Sequence, residues 1–406
     1  MTDDITIEIP SADDWDAVFL TSRVGFNQEP DDEIRESKRK IYEPERSLVA
    51  RRDGEIVGTA GIFTRQLSVP GAIVPTGHVT LVAVVPTARR QGILRRFMRQ
   101  QFVDMRAAGE PIAALWASEG RIYQRYGYGL AARRMAVAVD TKEVRLADRF
   151  PSAGTLREAA PVDVVEAMAK VYDEAYARHP GWSERTPRHW DLTDPESWRD
   201  GASRLRAVVH SGDHGVDGYA LWRVKNGWDD AGPAGEVHVL EQVSTTPEAY
   251  TAIWRFLLTL DLTRMTHAWN CSVDEPLQFM VNEPRRLGTR VADALWVRLV
   301  DVPAALAARR YASDVDLVIE VVDGYLPENA GRYHLSGSPE GARCTSTVEP
   351  PDLTCDVQSL GAAYLGGTPL NALADAGLVR EHSAGALSAA GTAFGWHQTP
   401  SAIEVF

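Results

Sequence analysis

The stretch VAVVPTARRQGILRRFMR, Val82–Arg99, decides how the first part of this chain is read. It opens as a strand: Thr80–Val85 is apolar and rich in β-branched residues, which suit a pleated, half-buried surface. Pro86 ends the ladder because it has no N–H to donate. A turn over Thr87–Gln91 follows, and the spacing of Ile93, Phe97, Met98 and Phe102 predicts a helix from Gly92 to Ala107. A helix start leaves backbone N–H groups unpaired and carries partial positive charge, so anions, phosphates above all, settle there. Arg89 and Arg90 add full charges, and Gly92 lacks the Cβ that would keep a phosphate away from the backbone. Strand, Arg-Arg-x-Gly, helix therefore reads as a pyrophosphate cradle. The alternative is an exposed basic loop before an ordinary helix. The motif is neither a Walker A loop, which needs Gly-Lys-Ser/Thr, nor a dinucleotide-binding GxGxxG.

At 406 residues the chain is too long for one simple core and suits two or three domains. Its formal net charge of −13 argues against nucleic acid and anionic membrane as partners. That charge fits cationic substrates drawn in by the field, and equally a surface charged for solubility. Three cysteines, Cys271, Cys344 and Cys355, give neither a disulfide framework nor a zinc site. Cys344 and Cys355 can pair only if their strands meet, and a reducing, cytoplasmic setting is expected. The acidic start MTDDITIEIP has no apolar signal-peptide core, no apolar run is long enough to span a bilayer, and the histidines show no metal-ligand spacing.

Along the chain, Ile5–Ile9 reads as a first strand, followed by a helix near Ala12 behind Ser11 and a charged helical segment over Asp31–Lys40. Ser47–Arg51 and Glu55–Arg65 form two strands around an Asp53-Gly54 turn, and Val74–Val85 leads into the cradle. Ile112–Trp116 is a buried strand, ASEGRIYQRYGYG holds a turn and a short helix, and Arg133–Val139 is expected as the last strand of this domain. Residues 141–160 read as a linker. A second unit follows, with a helix over Pro161–Ala177, a Trp-rich loop over Trp182–Trp198, and strands at Leu205–Val209, Gly218–Val224 and Gly235–Val243. Val243–Leu258, VSTTPEAYTAIWRFLL, aligns with the cradle: Pro247 meets Pro86, and an amphipathic helix follows in both. Tyr250, Thr251 and Ile253 stand where Arg89, Arg90 and Gly92 do, so this internal repeat is read as structural, unable to hold a pyrophosphate. From Pro303 onward β-rich segments alternate with short helices in a pattern similar to a sterol-carrier-like module.

The RRQG turn resembles the acetyl-CoA signature of the GNAT N-acetyltransferases, Q/R-x-x-G-x-G/A, with Leu94 in place of the second small residue. N-acetyl transfer needs a held thioester, a polarised carbonyl, a neutral amine and a proton for the leaving thiolate. In GNAT folds a β-bulge at the position of Val82–Val84 frees backbone groups for the pantetheine and for the thioester oxygen. A phenol suits the leaving group, since Tyr titrates near ~10 and a thiol near ~8.5. By spacing alone Tyr123, Tyr126 or Tyr128 could serve, and an aromatic there is more often core than acid.

V-x-V-x-P-x-x-R-R-x-G, then A-S-E-G-x-I-Y-x-R-[FY]-G-Y-G, then a C-terminal Phe together resemble the enhanced intracellular survival (Eis) acetyltransferases of actinobacteria. The resemblance covers the whole length and is densest over residues 79–130. It implies a mixed α/β chain of tandem GNAT folds followed by a sterol-carrier-like domain. The expected segments are 1–142, 143–302 (a degenerate second GNAT fold) and 303–406. It implies acetyl-CoA as cosubstrate, held by Val82, Ala83, Val84, Arg89, Arg90, Gln91, Gly92, Ile93, Leu94, Arg95, Ser118 and Glu119, and no metal. The general acid is then Tyr123 and the base the terminal carboxylate of Phe406, so the tail is expected to fold back into the first domain's cleft. A terminal carboxylate is a weak base, with pKa about 3.5, and would work by orienting the ammonium and accepting its proton through water. Phe26, Asp293 and Glu404 are candidate substrate contacts. Small-molecule or peptide amines, such as aminoglycosides and lysine side chains, are the implied acceptors, and a homohexamer the implied assembly. The competing readings are a non-catalytic CoA- or lipid-sequestering protein and an acetyltransferase for a single metabolite.

Overall fold

The computed structural model describes residues 5–406. The N-terminal part runs through β1 (Thr6–Glu8), α1 (Trp15–Gly25), α2 (Asp32–Arg39), β2 (Ser47–Arg52), β3 (Glu55–Val69), β4 (Ala72–Val84), α3 (Ile93–Ala107), β5 (Ile112–Trp116), α4 (Gly120–Gln124) and β6 (Gly129–Leu130). β2 and β3 are joined by Asp53-Gly54, with φ of 52° and 83°. Two consecutive positive φ values are what a twisted two-residue hairpin demands, and Asp-Gly supplies them. Trp15, Val18 and Phe19 of α1 pack with Ile34 and Val49 over one face of the sheet. From α3, Ile93 and Phe97 bury against Leu48, Ala50 and Ala60, and Met98 and Phe102 against Ile62 and Val79.

The middle of the chain builds a second sheet. It contains β7 (Arg133–Asp140), β8 (Thr155–Ala159), α5 (Pro161–Tyr176), β9 (Arg206–Gly212), β10 (Gly215–Lys225), a small hairpin of β11 (Trp228–Asp229) and β12 (Gly232–Pro233), β13 (Gly235–Ser244), α6 (Pro247–Leu258), β14 (Thr263–Cys271), α7 (Leu277–Met280) and β15 (Arg290–Asp293). The sheet order is β15-β7-β14-β13-β10-β9-β8. Two expectations are corrected here. Arg133–Val139 does not end the first sheet: β7 pairs antiparallel with β14 and β15 of the second. The expected linker contributes β8, the edge strand beside β9.

The remainder comprises β16 (Leu295–Leu299), α8 (Val302–Ala308), β17 (Val315–Val322), β18 (Gly331–Gly337), β19 (Ala342–Ser346), β20 (Leu353–Asp356), α9 (Val357–Ala363), α10 (Leu370–Asp375), β21 (Val379–Glu381) and α11 (Ala386–Phe394). β16 completes the first sheet, whose order is β1-β2-β3-β4-β5-β16-β6. Two compact units result: residues 5–132 with Leu295–His397 and Val405–Phe406, and Arg133–Ala294 with Gln398–Glu404. The last third forms its own sheet, β19-β18-β17-β20-β21. Cys344 on β19 and Cys355 on β20 have β18 and β17 between them, and all three cysteines are free and buried.

The last third is fastened to the first sheet by close backbone contact and by a buried polar network. A Cβ on Gly129 would lie 2.1 Å from the Gln358 carbonyl oxygen, and one on Gly361 2.4 Å from that of Val297. Glycine on both sides therefore lets α9 lie directly on β16 and β6. Arg298 and Asp323, both fully buried, pair at 2.5 Å. The same carboxylate accepts from the N–H groups of Tyr325 and Leu326 and from the Asn329 amide. A buried ion pair needs such extra partners to offset its lost hydration.

Candidate active site

The turn between β4 and α3 has the backbone of an anion cradle. Arg89 is extended (φ −65°, ψ 159°), Arg90 is left-handed at φ 63°, and Gly92, the residue before α3, is left-handed at φ 79°. Left-handed residues in a turn gather successive N–H groups into a concavity that suits anions. No side chain caps the start of α3, so its first N–H groups remain for a ligand. A Cβ on Gly92 would meet no atom of this chain. The glycine is required by its φ, not by crowding.

The side chains of the loop divide into two groups. Arg89 is turned back onto the protein, donating from Nε to the Val84 carbonyl at 3.1 Å and from Nη2 to that of Gly25 at 2.9 Å. Gln91 accepts from Arg52 at 2.7 Å. Ile93 is core, and Leu94 packs half-buried with Met98, Phe102 and Tyr123. Arg90 and Arg95 are exposed beside the helix start. Of the residues expected to hold a pyrophosphate, Arg89 thus shapes the loop, Ile93 and Leu94 can offer only backbone, and Arg90 and Arg95 supply outward charge.

Next to the cradle the sheet opens. β4 and β5 pair in parallel from Thr76↔Ile112 to His78↔Ala114 and no further, although β4 runs on to Val84 and β5 to Trp116. On the other side of β4, Thr59 faces Ala83 and Gly61 faces Thr80, so β4 carries one extra residue, a bulge at Leu81-Val82 with Leu81 at φ 52°. Past His78 one edge of β4, including Val82, Ala83 and Val84, is open to an extended chain that bears amides. α1 closes in near this edge: a Cβ on Gly25 would sit 2.6 Å from the Ala83 Cβ, and exposed Phe26 follows immediately.

Tyr123 belongs to the buried cluster that includes Val79 of β4 and Leu115 of β5, with half-buried Val82 packed against it. Tyr123 on α4 is buried, with its ring edge-on to Tyr128 at 5.9 Å. Burial, with a smaller contribution from Tyr126, pushes its phenol up to about 12. Tyr128 is completely enclosed and is raised further by the same cause. Ser118 and Glu119 are exposed on the loop from β5 to α4, where the Glu119 carboxylate accepts from Arg121. The ring of Phe406, the last residue, lies on the imidazole of His78 with centroids 4.6 Å apart. His78 is fully buried, and its Nδ1 donates to the Thr76 carbonyl at 3.1 Å. Sequence reasoning did not single out His78; its only signal is a histidine within an otherwise uncharged strand.

The other two candidate substrate contacts belong to the second unit. Asp293 ends the edge strand β15, exposed and opposite Arg133 in the ladder. Glu404 accepts from Arg185 Nε at 2.9 Å, while the same guanidinium holds Glu241 at 2.7 Å. Its carboxylate is therefore engaged in seating the tail.

That unit repeats the strand-and-helix geometry without the cradle and not in the expected alignment: α6 begins at Pro247 itself, so Tyr250, Thr251 and Ile253 lie inside the helix, whereas Arg89, Arg90 and Gly92 precede α3. β13 and β14 pair in parallel from Gly235↔Thr263 to Val239↔Ala268 and then part. The helix start beyond is capped by Thr246, whose hydroxyl accepts from Ala249 N–H and donates to the Asp217 carboxylate. A capped helix start beside a carboxylate is a poor place for a phosphate. The parted strands are lined by the chain's own Gln398–Ile403, beside a cavity of about 270 Å³. Ser401 N–H donates to Pro180, Trp182 Nε1 to Ser401 Oγ, and Asn270 to the Ala402 carbonyl.

A GNAT acetyltransferase domain model matches residues 6–131, a second GNAT acetyltransferase model residues 181–299, and a sterol carrier protein domain model residues 302–402. An uncharacterized N-acetyltransferase of Streptomyces coelicolor is 44% identical over 402 residues, 96% of each chain. The N-acetyltransferase Eis of Mycobacterium tuberculosis is 33% identical over 396 residues, 93% of each chain. The chain belongs to the Eis family of GNAT N-acetyltransferases. The crystal structure of Eis1 from Mycobacterium abscessus superposes with a TM-score of 0.85 at 32% identity, covering 99% of this chain and 100% of that one. As an Eis-family enzyme the protein is an acetyltransferase, and GNAT acetyltransferases take the acetyl group from acetyl-CoA. The loop and the parted strands fit that donor: an anion cradle for the diphosphate and an open strand edge for the pantetheine amides. Among the described residues no group of His, Cys, Asp and Glu could hold a metal ion, and no helix is long and apolar enough to cross a membrane.

Proposed function

We propose that this Eis-family enzyme acetylates amines of polycationic acceptors, aminoglycosides and lysine side chains among them, by direct transfer from acetyl-CoA. The backbone of Val82–Val84, the loop Arg89–Arg95 and Ser118–Glu119 hold the donor. The acceptor nitrogen attacks the thioester carbonyl carbon and the C–S bond breaks. The leaving sulfur takes a proton from the Tyr123 hydroxyl, and the nitrogen's proton passes through water to the terminal carboxylate of Phe406. The products are an amide and CoA thiol, and the phenol regains its proton from solvent. Burial opposes ionisation of Tyr123, but it raises the proton affinity of a leaving thiolate in the same pocket too, so donor and acceptor shift together. The single observation that supports this reading is the Phe406 ring resting on His78, the last residue at which β4 and β5 are paired. That contact puts the chain end at the strand opening that Tyr123 follows in sequence. The acidic charge of −13 favours polycationic acceptors. A homohexamer and a cytoplasmic setting extend the same family reading.

The test is to compare the native chain with one amidated at Phe406, following thiol release over a panel of aminoglycosides and lysyl peptides. The amidated chain is expected to lose roughly 100-fold in kcat while calorimetric binding of acetyl-CoA persists. Full activity after amidation removes the carboxylate from the mechanism, and no thiol release with any amine favours the sequestering alternative. A response to a single amine would replace broad specificity with a dedicated one.

A further inference from the structure

His78 takes no part in the transfer scheme, yet it is the residue on which the chain's last ring rests. Its backbone is held on both sides, opposite Phe63 of β3 and Ala114 of β5. Its imidazole is completely buried, and its orientation is set by the Nδ1–H donated to Thr76 in the same strand. The other side of the contact is a chain terminus, the part of a protein that frays unless something ties it down. Val405, the preceding residue, is 54% exposed and offers little anchorage. A carboxylate on such an end points in no fixed direction unless the ring beside it is seated. Edge or tilted packing of two flat rings at 4.6 Å is a contact with a defined geometry, not a greasy smear.

We propose that His78 is a positioning residue for the chain-end carboxylate: its imidazole is the shelf for the Phe406 ring, and seating the ring there fixes where the carboxylate lies. The inference rests on the reading of that carboxylate as proton acceptor. It requires a flat ring at position 78 and not the imidazole's basicity. It also assigns the terminal side chain a task separate from the terminal charge.

Three full-length variants test it: His78→Ala, which removes the shelf; His78→Phe, which keeps a flat ring; and Phe406→Ala, which keeps the terminal carboxylate and loses the ring. Two readouts are used, release of the last residue by a carboxypeptidase, followed by mass spectrometry, and the separation of kcat from KM for acetyl-CoA. His78→Ala should release residue 406 faster than the native chain and lower kcat roughly 10- to 100-fold, the size of effect expected from misplacing a reacting group by about an ångström. KM for acetyl-CoA should be unchanged. His78→Phe should restore protection and most of kcat. Phe406→Ala should lose kcat as His78→Ala does, and the double variant should be no worse than either. Native resistance of His78→Ala to the carboxypeptidase overturns the proposal, as does failure of His78→Phe to restore kcat in a chain with the native unfolding midpoint. Phe406→Ala lies at the chain end and keeps the test open if substitution at position 78 damages folding; native kcat in that variant overturns the proposal as well. If amidation leaves activity intact while His78→Ala still frees the last residue, the seat stands and the proton-acceptor reading falls. If amidation abolishes activity while His78→Ala changes neither readout, the reverse holds.

Discussion

Replacing Tyr123 by Phe removes one hydroxyl from a side chain that is only 6% exposed, and keeps the ring that packs edge-on to Tyr128. Little packing is lost, so the unfolding midpoint should stay near that of the native enzyme. The effect should fall on the chemical step. A positioned general acid contributes about 10²- to 10⁴-fold, or about 2.7–5.4 kcal/mol of barrier. The pH profile makes the prediction sharper. Burial pushes the Tyr123 phenol up to about 12, against an ordinary value near ~10. At pH 10 roughly 1% of such a phenol is ionised, where an ordinary tyrosine would be about half ionised. Thiol release by the native enzyme should therefore rise as the acceptor amine loses its proton and show no decline through pH 10.5. The Tyr123→Phe enzyme should remain uniformly low, with acetyl-CoA binding intact by calorimetry. Tyr128→Phe is the control: its hydroxyl is buried without a partner, so its removal should leave kcat within about threefold and stability equal or improved. A decline in native activity with a midpoint near 10, a Tyr123→Phe enzyme retaining more than about a tenth of kcat, or an equal loss in Tyr128→Phe would each refute the assignment of the acid.

Gly92→Val forces a β-branched residue into φ 79°, a strain of about 1–2 kcal/mol, and puts a side chain into the cradle. It and Arg90→Glu should each weaken acetyl-CoA binding about 10-fold or more without changing the far-UV spectrum, and unchanged calorimetric affinity in both would dispose of the cradle. In the second unit, burial pushes the Glu275 carboxyl up to about 7, above an unfolded value near ~4.3. A carboxyl raised in the folded state adds stability that is full below about pH 4 and lost as pH rises through about 7. By pH 8 the loss amounts to about 3–4 kcal/mol at most. Glu275→Gln still accepts from the Tyr250 hydroxyl, so it should raise the unfolding midpoint at pH 8 and raise it much less at pH 5, where only about 1 kcal/mol is lost. The opposite pattern, or no difference between the two pH values, would show that the carboxyl is not held this way.

The local geometry of the cradle could be read from Val82–Arg99 alone, because each of its causes lies within a few residues. Pro86 ends a strand wherever it stands, Gly92 accepts a positive φ, and the apolar spacing from Ile93 to Phe102 belongs to a helix. The Asp53-Gly54 hairpin was legible for the same reason, whereas the alignment of Pro247 with Pro86 fails because Pro247 opens its helix directly behind Thr246 and Pro86 lies seven residues before Ile93, the start of α3. Arg133–Asp140 and Leu295–Leu299 were different: the pattern of an apolar strand states that it will be buried but not against which neighbour. Only the folded chain shows β7 in the second sheet and β16 in the first. The same holds for side chains whose partners are distant in sequence. The charges of Arg89 and Glu404 were plain, but not that one is spent on Gly25 and Val84 and the other on Arg185. Nor could any local rule have brought His78 under Phe406. Chain-local causes act over a turn or two, whereas strand pairing, ion pairing and ring seating depend on what the rest of the molecule delivers to the same place.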